Sequence, residues 1–94
     1  MLILELVINA LAAEKLAARD IMGIEVEQVI ANGPLARDNP EPRVAGSVIV
    51  IGPTDALRVI TLVLQPDQAS STRWHVMTGW DSSVRQIAAF QSKR

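Results

Sequence analysis

No cysteine occurs in the chain, and histidine occurs once. The first absence excludes disulfides and thiolate metal sites and fits a reducing compartment. With a single imidazole as well, a Cys/His metal site has too few ligands, and neither metal nor cofactor is expected. Aromatic residues make up only 3% of the 94 residues. The core must therefore be built from Leu, Ile, Val and Ala, which a 49% hydrophobic share permits in a single domain spanning residues 1–94. Long apolar runs are also missing. The first, LILELVI at residues 2–8, carries Glu5, lacks a basic leader and is too short to span a bilayer. The expectation is a soluble, cytoplasmic protein with no membrane contact. A strong basic excess is absent too, since the formal net charge is -1. The balance is uneven along the chain. Acids outnumber bases in residues 1–31, and bases outnumber acids from there on. That leaves room for a local basic patch, or for ordinary solvated charge. There is no Gly-rich phosphate loop, HExxH, Ser nucleophile elbow or carboxylate pair at helical spacing.

What is present is organised around residues 47–80. SVIVIG and RVITLVLQ are β-branched runs separated by PTDAL, a hairpin signal. RWHVMTGW follows after the polar loop PDQASST and completes a three-strand antiparallel meander. Residues 2–8 read as a further strand. Asn9 caps a helix over 10–20, with Ala10, Ala13, Leu16 or Ala17, and Ile21 as its apolar stripe. Lys15 and Arg19 sit at i,i+4 on the polar side, as a solvated basic edge or as a phosphate contact. Gly23 interrupts, and a short helix over 24–31 buries Val26, Val29 and Ile30 until Asn32-Gly33-Pro34 stops it. Residues 35–46, with Pro40 and Pro42, read as an ordered connector. Ser83 and Gln86 form a capping box for a last helix with stripe Val84, Ile87 and Ala88, packed at the sheet edge or on a partner. The expected fold is α+β in the order β-α-α-β-β-β-α, a small antiparallel sheet with two N-terminal helices on one face. Ile60, Leu62, Leu64, Trp74 and Val76 should face those helices. The same alternation puts Thr78 and Trp80 with Trp74 and Val76, and leaves Val59, Thr61, Val63, His75 and Met77 on a more open second face.

The carriers of a family resemblance are Gly33-Pro34-Leu35, NPEPR at 39–43, VIVIGPTD at 48–55, Arg58 opening RVITLVL, and WHVMTGWDSSVRQ at 74–86. In their order the chain resembles the RelE-type ribonuclease toxins of bacterial toxin–antitoxin pairs, and in its meander the BrnT-like branch. Relatives open the middle strand with an arginine, as Arg58 does, and close the last strand with a pair resembling Thr78-Gly79 before a functional side chain. The chain departs from the BrnT-like pattern in having Trp80 where an arginine stands, Asn9-Ala10 where a His precedes Ala, and a different charge placement around Arg85-Gln86.

The resemblance implies a toxin acting as a metal-independent endoribonuclease on mRNA. Such cleavage uses the substrate's own 2′-OH and needs only proton transfer and cations for phosphate. Arg43, Arg58 and Arg85 would hold phosphate, with Arg58 and His75 as the catalytic pair, and Trp80 would position a base. The implied partner is a small antitoxin protein laid over the open face. Each residue also has an ordinary reading: His75 as a structural or partner-facing strand residue, Arg58 and Arg43 as solvated, Trp80 as packing. Those readings lead to a non-catalytic protein-interaction module, for instance a homodimer burying the His75 face.

Overall fold

The computed structural model describes residues 2–93. It is a small α+β domain of eight elements: β1 (Glu5–Val7), α1 (Ala10–Ala17), α2 (Gly23–Ala31), β2 (Leu35–Asp38), β3 (Val48–Pro53), β4 (Val59–Pro66), β5 (Arg73–Asp81) and α3 (Val84–Ser92). The five strands form one sheet in the order β1-β5-β4-β3-β2. The meander is as expected, but two corrections apply to the rest of the sheet. β1 lies parallel to β5, with Leu6 opposite Trp74, so the sheet is mixed rather than antiparallel. Within the expected connector, β2 is a strand paired antiparallel to β3, with Leu35 opposite Ile51 and Asp38 opposite Val48. Its sequence, LARD, is polar because the strand lies at the sheet edge with Ala36, Arg37 and Asp38 exposed. Burial therefore imposes no apolar alternation on it.

The Asn9 side chain accepts from the Ala12 N–H and starts α1 as expected. The helix ends sooner than its composition suggests. Asp20 takes a left-handed φ of 56°, the Ile21 N–H bonds the Leu16 carbonyl, and the Asp20 N–H bonds the Ala17 carbonyl. These are the bonds of a Schellman stop, made three residues before the glycine expected to end the helix. Gly23 instead opens α2. Of the expected stripe Leu16 and Ile21 are buried, whereas Ala12 is buried in place of Ala10 and Ala13. Val26 and Val29 of α2 are buried as expected, with Ile30 partly so.

Leu16, Ile21, Val26 and Val29 meet Val48, Val50, Ile60, Leu62, Leu64, Trp74 and Val76 in one apolar cluster on one face of the sheet, with Ile30 packed against it. The register is interrupted once. Val63 pairs with Thr78 and Leu64 with Val76, so Met77 has no partner and forms a bulge in β5. The extra residue reverses the alternation beyond it. Gly79 comes to lie opposite Leu62 on the helix side, and Thr78 and Trp80 turn to the second face beside Val63 and Thr61. This corrects the expected grouping of Thr78 and Trp80 with Trp74. An added Cβ at Gly79 would lie 2.8 Å from Leu62 Cδ2 and 3.1 Å from Leu16 Cδ2, so only glycine lets α1 approach β5 this closely.

The second face is not bare. α3 packs on β3, and Phe90 rather than Val84 or Ala88 is its buried residue. Thr61, fully buried, bonds Gln86 of α3 (3.0 Å) and Ser82 (2.7 Å). The Ser83–Gln86 capping box forms as expected. Lys93 at the end of α3 donates to the Gly33 carbonyl before β2. The last helix thus closes the second face over Ile51 and Thr61, and leaves the other part open.

Candidate functional site

The open part of the second face is a groove of about 570 Å³. Its floor is Ile49 of β3, Val63 of β4, and Met77 and Thr78 at the bulge of β5. Trp80 lines it as well, half-buried, its indole N–H donating to Gln86 (3.2 Å). One wall is α1 and the turn after it, which supply Lys15 and Arg19. The other is the loop between β2 and β3, which supplies Glu41 and Arg43. That loop is closed at its neck. The Asn39 N–H donates to the Ser47 carbonyl (3.1 Å), and the Asn39 side chain bonds the Ser47 hydroxyl (3.3 Å) and accepts from the Glu41 N–H. Arg43 is therefore carried on a pinned loop with a buried Ser47 at its base. Among the described residues, none of Lys15, Arg19 and Arg43 enters an ion pair.

A second hollow, of about 360 Å³, shares Gln65 and Met77 with the first and continues it toward Asn9 and the loop after β4. His75 lines it, with Nε2 2.7 Å from Asp67 Oδ1. Asp67 Oδ2 in turn accepts from the Ala69 and Ser70 N–H groups (2.9 and 3.0 Å) and lies 3.8 Å from Arg73 Nη1. The hydrogen bond from His75, then those from the loop backbone and the charge of Arg73, hold the Asp67 carboxyl below the usual carboxylate range. Arg73 is itself paired with Glu5 of β1 (3.0 Å).

Of the residues singled out in the sequence, the structure brings Arg43, Trp80 and His75 to this one continuous surface. Arg58 lies elsewhere. Its Nε and Nη2 donate to both oxygens of Asp81 (2.7 and 3.2 Å), its Nη1 to Glu25 (3.2 Å) and the Asp20 carbonyl (2.7 Å), and its Nη2 to the Arg19 carbonyl (3.0 Å). Asp81 first, and then Glu25, push the Arg58 pKa above its usual value, while Arg58 lowers that of Asp81. The guanidinium ties the end of α1 and the start of α2 to the sheet and satisfies carbonyls left free where α1 stops. Arg85 is exposed on α3 and lines neither hollow. Three contributors carried little sequence signal. Lys15 and Arg19 showed as like charges at i,i+4, either a solvated edge or a phosphate contact, and Asp67 only as the acid in a polar turn.

No three His, Cys, Asp or Glu side chains among the described residues come together to hold a metal ion. No helix among them is long and apolar enough to cross a membrane. Models of known protein families and the curated proteins give no match to this chain.

Proposed function

We propose that the groove binds single-stranded RNA and that the chain is a metal-independent endoribonuclease of the RelE/BrnT type, the toxin of a toxin–antitoxin pair. The observation that carries this reading is the groove itself: three cations, Lys15, Arg19 and Arg43, unpaired among the described residues, around an apolar floor with a half-buried tryptophan. Cations on both walls suit a backbone of phosphates, and an indole suits the stacking of a base. His75, in the adjoining hollow, supplies proton transfer to a 2′-OH. A strand and two helices, then antiparallel strands and a last helix, support the family reading, with β2 as a strand beyond the expected order, and the groove is the surface an antitoxin would cover. Three cations imply a slope of about -2 for log affinity against log salt on a single strand. The test is binding and cleavage of an oligoribonucleotide in EDTA. Wild type should bind with that slope and cut. His75→Ala should bind equally and not cut. Salt-independent binding, or cleavage that survives in His75→Ala, overturns the reading.

One observation favours the non-catalytic alternative. Arg58 is consumed by Asp81 and Glu25, and no arginine among the described residues lines the hollow around His75; Arg73, beside Asp67, is paired with Glu5. On that reading wild type binds a partner on this face and cuts nothing.

A further inference from the structure

His75 is the one histidine of the chain, and the way Asp67 holds it has a chemical consequence. Asp67 divides its two oxygens between separate tasks. Oδ2 takes both loop N–H groups, Ala69 and Ser70, and Oδ1 bonds, among the described residues, the imidazole Nε2 alone. A carboxylate kept ionised accepts and cannot donate, so the hydrogen of this bond sits on Nε2. Nδ1 makes no hydrogen bond among the described residues, and the ring lines the hollow that continues the groove.

We propose that Asp67 is a positioning residue: it locks His75 as the Nε2–H tautomer and so makes Nδ1 the proton acceptor of the site. The tautomer rests on the geometry of this bond to an ionised carboxylate, while its role rests on the RNA-cleavage reading above. In that role Nδ1 takes the proton of a ribose 2′-OH, and the 2′-oxygen forms a bond to the adjacent phosphorus as the P–O5′ bond breaks. The departing 5′-oxygen takes a proton from water, and the hydroxide left behind is neutralised by the proton on Nδ1. The products are a 2′,3′-cyclic phosphate and a 5′-hydroxyl, with no oxidant, reductant or metal consumed.

The division of labour within the carboxylate allows an isosteric test. In Asp67→Asn the backbone N–H groups of Ala69 and Ser70 still need an acceptor, so the amide oxygen stays with them. The amide NH2 then faces Nε2 as a donor and forces the hydrogen onto Nδ1. With one histidine present, the imidazole ¹⁵N signals of the neutral ring report the tautomer without assignment. Wild type should show a pyrrole-type Nε2 and an acceptor-type Nδ1. Asp67→Asn should show the reverse, and Asp67→Ala a mixture. Cleavage of an oligoribonucleotide should fall at least about tenfold in Asp67→Asn, with binding and urea midpoint close to wild type. Identical tautomers in wild type and Asp67→Asn, or equal cleavage by both, overturn the inference. The expected tautomers in a wild type that cuts no RNA overturn the cleavage reading and leave the assignment of the bond in place.

Discussion

On the face beneath α1 and α2, Val50, Ile60, Leu62 and Leu64 are fully buried, whereas on the opposite face their strand neighbours Ile49 and Val63 are half-buried in a groove. The charges divide in the same way. At the helix side Arg58 is bound to Asp81 and Glu25, while at the groove Lys15, Arg19 and Arg43 are unpaired among the described residues. A cation whose donors are already used adds stability and has nothing to offer a ligand. One left unpaired beside an apolar floor adds little stability and is available to an anion. The comparison therefore separates residues that hold the fold from residues that the fold presents.

The sharpest way to break this comparison is to truncate neighbours in β4. Leu62→Ala removes a fully buried side chain packed within the main cluster and should cost about 3–4 kcal/mol. Val63→Ala, one residue on, should cost under about 1 kcal/mol, because the groove is already open there. Urea midpoints of the two variants measure the difference. Equal losses would mean that the second face is as tightly packed as the first.

Next in size is Arg58→Ala, expected to cost about 2 kcal/mol through lost charge-assisted bonds that are partly open to solvent. Its pH dependence is distinctive. The folded Asp81 carboxyl titrates below its ordinary value because of the hydrogen bonds from Arg58. That contribution is present above the unfolded carboxylate value of about 4 and disappears as pH falls through the lowered folded value. The gap in urea midpoint between pH 6 and pH 3 should narrow in Arg58→Ala. An unchanged gap would show that Asp81 is not held by this pair. Smaller again is Gly79→Ala, about 1–2 kcal/mol, as Leu62 and Leu16 give way to the added methyl.

How much of this the residues announce differs between the two faces. The helix face follows from period-2 alternation in β3 and β4, because burial forces an apolar residue at every second position. The groove does not, for three local reasons. The bulge at Met77 reverses the alternation, and nothing in MTGW marks an unpaired residue, so Thr78 and Trp80 change sides without a sequence signal. β2 is polar because only one of its edges is paired, and it reads as a connector. The fate of Arg58 depends on Asp81, Glu25 and two carbonyls distant in sequence, a convergence that no local pattern encodes. Arg43 and Trp80 were legible as candidates, but their meeting with Lys15 and Arg19 depends on how α1 packs against β5.

The smallest effect on stability should come from Arg43→Ala, and it separates presentation from support most cleanly. Arg43 is exposed, unpaired among the described residues and held by a loop whose neck bonds involve Asn39 and Ser47 rather than its own side chain. The urea midpoint should therefore stay within about 0.5 kcal/mol of wild type. If the groove takes a phosphate chain, affinity for a single-stranded oligoribonucleotide should still fall several-fold, and the salt slope should shrink by about 0.7, one phosphate's worth of released counterion. Arg58→Ala at a matched folded fraction should leave that slope unchanged, since its guanidinium lines no part of the groove. A slope that shrinks with Arg58 rather than with Arg43 would reverse the two assignments and place the ligand on the helix side of the sheet.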